Sequence, residues 1–207
     1  LVDLNTSEVH FIGQSLGAIY GTGAVAIANK SLPVNLAIFD SMFTFKTANI
    51  NVPAGGTFAG LFDSPFIGPV VKGSLLAASS PEFVEFLTTY ALQNELEPAT
   101  AIGPAYLAFE QVISAEQAAV INATFSAVGF AAQTVTDASD PISYAAELTS
   151  TTPVLLQLVV GGGNNDDGST GLTDQVNPIT TSLPLVGGQP LADIMGLLKV
   201  STSTEGS

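Results

Sequence analysis

Ser15 lies in Gly13-Gln14-Ser15-Leu16-Gly17, directly after the apolar run Val9-His10-Phe11-Ile12 and before Ala18 to Lys30, a stretch of small residues that reads as a helix. A strand that runs into G-x-S-x-G and then a helix is a nucleophile elbow. The chemistry explains the spacing. A serine hydroxyl can attack only if it projects clear of the backbone, and a tight, strained turn achieves that. Gly13 and Gly17 are expected to leave room where a Cβ would strike the neighbouring strand or helix. The N–H groups of the following helix then face the place where an oxyanion develops, and the backbone N–H of Leu16 is the first donor there. The plainer alternative is a Gly-rich turn that only joins a strand to a helix.

A serine nucleophile needs a base, and the base needs an acid to orient it. The sequence holds one histidine, His10, and it precedes the serine. At about 3.3 Å per residue along a strand, five positions put His10 roughly 16 Å below the elbow, so it is expected to be a core or strand-packing residue and not the base. The elbow belongs to the α/β-hydrolase fold, in which the chain order is serine, acid, histidine. Asp174, after the apolar run Pro153 to Val160, is the candidate acid, and its alternative is a turn aspartate that binds local backbone. Asp137 and Asp140 precede that run and are expected to cap or pin a helix end. Asp166 and Asp167 lie nearer the run, in a Gly/Asn/Asp loop. The catalytic histidine, the second oxyanion donor and the earlier strands of the sheet are expected to lie outside these 207 residues.

The elements that must position these groups alternate at both ends of the chain and not in its middle. Val9 to Ile12 reads as a strand and Ser15 to Asn29 as a helix. Leu32 to Phe45 is open between strand and loop. Ala48, Ile50 and Val52 alternate with asparagines and lead to Pro53-Ala54-Gly55-Gly56, a strand ending in a turn. From Thr57 to Ala132 the pattern turns helical. Ser79-Ser80-Pro81-Glu82 opens a helix with a serine cap, a first-turn proline and an acid near the positive end of the dipole. A second helix is expected over Pro104 to Val112, and a third from Ser114 to about Gln133, where Ser114 and Gln117 have capping-box spacing. Pro153 to Val160 reads as a strand buried on both faces of a parallel sheet. A last helix is expected near Gln189 to Leu198, and Leu1 to Glu8 and Ser201 to Ser207 read as a lead-in and a frayed tail. The fold class is therefore α/β: a partial α/β-hydrolase sheet, mostly parallel, built from 1–56 and 133–207, with 57–132 inserted as a helical cap.

Composition narrows the partners. Eighteen acidic residues face four lysines and no arginine, for a formal net charge of −14. So few cations cannot neutralise many phosphates, which argues against nucleic-acid binding, and anionic membranes should repel the chain except at an apolar patch. No cysteine is present, so disulfides and thiolate metal sites are excluded. Gly163 to Asp174 has part of a calcium-loop pattern in Asn165, Asp167 and Gly168, but Gly163 at the first ligand position has no side-chain oxygen. No metal or cofactor is expected. Charged residues are 11% of the chain, low for a soluble protein, yet no contiguous apolar run approaches the ~18 residues that span a bilayer. The surplus apolar surface is expected in the core or on a lid that meets lipid. Leu1 is followed by no signal-like segment.

In chain order, V-H-F-I-G-Q-S-L-G, N-V-P-A-G-G, A-A-Q-T-V-T-D-A-S-D-P-I-S-Y-A, P-V-L-L-Q-L-V-V-G, D-Q-V-N-P and P-L-V-G-G-Q-P-L resemble the extracellular lipases and (lyso)phospholipases of Gram-negative bacteria, the virulence-factor lipases. The resemblance implies a secreted or cell-surface serine hydrolase that cleaves lipid or lysophospholipid esters, with its histidine beyond the last helix seen here. The elbow of that family usually reads G-H-S-L-G-G, and Gln14 and Ala18 depart from it. On this reading the chain alone has negligible esterase activity. The alternative is a non-catalytic binding or adhesion module that keeps the fold.

Overall fold

The computed structural model describes residues 8–163 and 167–200, so Asp166, the lead-in up to Ser7 and the tail from Ser201 lie outside the described residues. The chain is mixed α/β. Strands β1 (His10–Gln14), β2 (Thr47–Asn51) and β3 (Val154–Gln157) form a parallel sheet in the order β1-β2-β3. The register aligns Phe11 with Ala48 and Val154, and Gly13 with Ile50 and Leu156. These residues share one face because side chains alternate along a strand. That face packs on α1 (Leu16–Ala28), with Ala18, Val25 and Ala26 buried against Ala48 and Ile50.

Among the described residues the other face is largely uncovered, although Asn49 is half-buried there. Ile12, Asn49 and Leu155 stand in one cross-strand row there, and Ile12 is 72% and Leu155 56% exposed. The apolar run Pro153 to Val160 was expected to be buried on both sides. Only Val154 to Gln157 is strand, and Leu155, Val159 and Val160 are exposed. The reason is layer order: the helices that pack on this sheet all lie on the Ile50 side.

Leu32 to Phe45 resolves as a 3₁₀ turn at Ala37–Phe39 and the short helix α2 (Asp40–Phe43), neither with a buried residue. Between the second and third strands come α3 (Thr57–Asp63), α4 (Ile67–Ser79), α5 (Pro81–Gln93), α6 (Pro98–Glu110) and α7 (Ala115–Thr136). The expected caps form: Ser80 Oγ accepts from Phe83 N, and Ser114 and Gln117 exchange both bonds of a capping box. Helix α6 begins six residues earlier than expected, because Pro98 supplies the first-turn proline and Pro104 sits inside the helix. Tertiary packing overrides that penalty, since Ala101, Ala105, Tyr106 and Phe109 are all buried. The block has its own core, in which Phe83 meets Phe109 edge-on at 5.2 Å and Tyr106 meets Phe125 at 6.1 Å. Burial, together with a hydrogen bond to the Glu110 carboxylate, raises the Tyr106 phenol above its ordinary range.

Counted as a helix rather than as a contiguous run, Ala115–Ser139 is long and apolar enough to cross a membrane, contrary to the expectation from runs alone. Its apolar residues are spaced by Asn122, Thr124, Ser126 and Thr134, and it packs Phe125 on Phe62 of α3. The chain ends its described part with α8 (Ala145–Thr151), β3 and α9 (Gly188–Ile194). The last helix starts one residue before the expected Gln189 and stops at Ile194, where Gly196 takes φ 64°.

Candidate functional site

Ser15 occupies the junction of β1 and α1 with φ 51° and ψ −120°. A non-glycine residue at positive φ is costly, roughly 1–3 kcal/mol, and persists only where the surroundings fix it. Here they do. Ser15 N–H donates to Asn51 O of the neighbouring strand at 3.0 Å, and Ser15 O accepts from Ala18 and Ile19 to start the helix. A Cβ on Gly13 would meet the Gly17 carbonyl oxygen at 2.6 Å, so the turn closes only with glycine at 13. Gly17 does not share this role, contrary to expectation: a Cβ there would meet nothing within 4 Å. The space over the first turn of α1 is open, because the helix leaves the sheet at this point.

The N–H groups of Leu16 and Gly17 lie at the free end of α1, ahead of the first intrahelical bonds, and among the described residues neither has an acceptor. With Leu16 itself 58% exposed, these donors are accessible beside Ser15. An oxyanion formed by attack of Ser15 Oγ would meet them and the positive end of the helix dipole.

A second strained residue stands one strand over. Val52, the residue after β2, has φ 46°, donates its N–H to Gln157 O and offers its carbonyl outward. The asparagine at 177 takes that carbonyl: Asn177 Nδ2 donates to Val52 O at 2.7 Å and stands 3.5 Å from Ser15 Oγ. Asp174 lies three residues earlier in the same loop. Its N–H donates to Val159 O, and its Oδ1 accepts from the N–H groups of Val176 and Asn177 at 2.8 and 2.9 Å. Among the described residues Oδ2 of Asp174 has no hydrogen bond. Ser15, Val52 and the Asp174–Asn177 loop therefore meet at the carboxyl ends of three adjacent strands, where ligands bind in open α/β sheets. Asn177 had no role assigned from the sequence. The signal was the Asp-x-x-Asn-Pro spacing, in which an Asx turn fixes the backbone of the asparagine and Pro178 holds it extended.

The rival carboxylates are spent on structure. Asp140 is buried, and its two oxygens accept from Gly56 N, Thr57 N, Ile142 N and Gln133 Nε2 at 2.8 to 3.0 Å. It fastens the start of α3 to the turn before α8, as a pinning role requires. Asp137 accepts from Gln133 Nε2 at 2.9 Å. Asp167 is exposed and bonded to Ser169, whose hydroxyl and N–H hold its carboxyl below the ordinary value. No cluster of three or more metal-ligating side chains forms among the described residues. His10 is at the far end of β1 and is exposed there, not a core residue, with Nδ1 2.9 Å from Thr47 Oγ1 of the neighbouring strand.

The helical block touches the site through its first connection. Ser64 Oγ and Phe66 N both donate to Gln175 O, the residue after Asp174, and Phe58 N donates to Gln133 Oε1. Beside the first turns of α1, Ile19, Tyr20, Thr57, Phe58 and Thr136 line a crevice of about 10 Å³, room for one water. The block's helices pack on one another, and a groove of about 310 Å³ lies between Phe86, Phe109 and Ile113 within the block.

Mixed α/β architecture with a strained serine at a strand–helix junction is the class that fold and site define. Comparison with protein-family models, curated proteins and solved structures finds no match.

Proposed function

We propose that this chain carries the nucleophile and acid of a serine carboxylic-ester hydrolase, a lipase or lysophospholipase acting on lipid esters at the cell surface or after secretion. The observation that supports it most is the strained Ser15 at the head of α1, with the N–H groups of Leu16 and Gly17 unengaged beside its hydroxyl. Ser15 Oγ attacks the acyl carbonyl while a base removes its proton. The ester C–O bond breaks, the alcohol leaves with that proton, and water then hydrolyses the acyl-serine. Asp174 is the orienting acid, since its Oδ2 is uncommitted while both oxygens of Asp140 are held by structural donors. The base is an imidazole from outside these 207 residues, because His10 lies at the opposite end of β1. The block from Thr57 to Ala132 acts as a cap: it meets the acid loop at Gln175 and carries the exposed apolar side chains Phe66, Val120 and Phe130, which suit transient contact with a lipid surface.

A second reading, a binding module that has lost catalysis, draws on the same site: Ser15 Oγ faces an amide and no imidazole. Added imidazole separates the two. Hydrolysis of a medium-chain p-nitrophenyl ester and of a lysophospholipid by the 207-residue chain should stay near background in plain buffer. Imidazole in solution should then add a rate that Ser15→Ala lacks. An imidazole-dependent rate identical in the wild type and Ser15→Ala would defeat the hydrolase reading and favour the binding module.

A further inference from the structure

We propose that Asn177 is a positioning residue for the nucleophile, its side-chain amide fixing the Ser15 hydroxyl relative to the acid loop. The catalytic meaning of this rests on the reading of Ser15 as a nucleophile; the contact itself does not. The orientation of the amide is decided by chemistry. Val52 O can only accept, so the nitrogen must face it, and at 2.7 Å this bond is short and firm. An amide nitrogen has two hydrogens. With one held by Val52 O, the other points into the space that Ser15 Oγ occupies, 3.5 Å away. That is a long contact for a neutral hydroxyl, so it leaves the hydroxyl free to give up its proton. Once the oxygen carries charge the same contact becomes charge-assisted, and such bonds are shorter and stronger.

Three features show that the amide is placed rather than incidental. Val52 is held at φ 46°, a conformation unfavourable for a β-branched residue, and that backbone presents its carbonyl to Asn177. The backbone N–H of Asn177 is bound by Asp174 Oδ1 at 2.9 Å, so the acid fixes the asparagine that fixes the serine. Finally, Ser15 N–H is tied to Asn51 O, the residue before Val52, so nucleophile and amide are referenced to the same end of β2. Movement of the acid loop is thereby transmitted to the serine rotamer.

The chain contains no cysteine, so Ser15→Cys introduces a single thiol at the position in question. Its acidity, read from the pH dependence of alkylation by iodoacetamide, reports the donors around that atom and requires no turnover. At a helix N-terminus with an amide donor, the midpoint should lie below the ordinary thiol value of about 8.5. Adding Asn177→Ala should raise it by about half a unit to one unit, and Asn177→Asp should raise it further, because a carboxylate opposes the thiolate. A residue that only stapled the loop would leave the midpoint in place while circular dichroism showed an intact fold. Equal midpoints in Ser15→Cys with and without Asn177→Ala overturn the proposal. Should the double variant unfold, the side-chain NH₂ pair of Asn177 in a ¹⁵N spectrum decides instead: it should shift in Ser15→Ala, and an unmoved pair overturns the proposal. Failure here leaves the imidazole test untouched, and failure of that test leaves this one readable.

Discussion

The molecule has two cores made of different materials. Between the sheet and its helices the buried residues are small or aliphatic: Ala18, Val25, Ala26, Ala48, Ile50, Ala145, Leu148 and Leu191. In the helical block four rings, Phe83, Tyr106, Phe109 and Phe125, join Leu76, Leu87 and three alanines in the buried core. The difference follows from what each core must do. Helix α1 has to lie so close to the sheet that a Cβ on Gly21 would meet the Phe11 ring at 2.0 Å. That closeness forces the chain to turn sharply at Ser15 and lets the turn hold a positive φ. In the block large rings fill the space between crossing helices, and its positive-φ side chain, Glu95 at φ 54°, sits in a connection between two helices rather than at a helix packed on the sheet. One core confers precision at a site, and the other confers stability on a surface.

Substitutions can break this contrast. Phe83→Ala should produce the largest effect, a loss of about 3–5 kcal/mol in the unfolding of the helical block, seen as a lower denaturant midpoint. The same variant should leave Ser15→Cys alkylation unchanged, and a changed midpoint of alkylation would show that the two cores are not separable. Gly13→Ala inverts the pattern. Its methyl group would press on the Gly17 carbonyl oxygen, so it should cost about 1–3 kcal/mol and abolish the imidazole-dependent rate together. A variant of normal stability and rate would show that the elbow does not need glycine at that position. Ser15→Gly is the mildest and the most diagnostic: by releasing the positive φ it should raise stability by about 1 kcal/mol, a gain that among the described residues of the block only Glu95, at φ 54°, could match. A neutral or destabilising outcome in thermal unfolding would mean that Ser15 is not strained.

Much of the site was legible because its signals are local. A strand, G-x-S-x-G and a helix follow one another without interruption, so Ser15, Leu16 and their junction could be placed from neighbours alone. The caps at Ser80 and Ser114 are equally local, since each satisfies N–H groups within three residues. The role of Asp140 was half legible: its place before the run Pro153 to Val160 marked it as a capping or pinning residue, while its bonds to Gly56 and Thr57, more than eighty residues away, could not be read. Asn177 was illegible for the same reason, because its partners Ser15 and Val52 come from two other segments.

Sequence by itself determined the turn that carries Ser15, the division into a β/α part and a helical middle, and the acidic composition without cysteine. These depend on residue type, short spacing and composition. Tertiary structure decided that the described helices cover the sheet on one face, that Pro104 lies within a helix, and that an asparagine joins the Asp174 loop to Ser15. Each of these depends on which distant surfaces meet. Apolar patterning states that a surface will be buried and does not name its partner, because the hydrophobic effect that buries it has no direction.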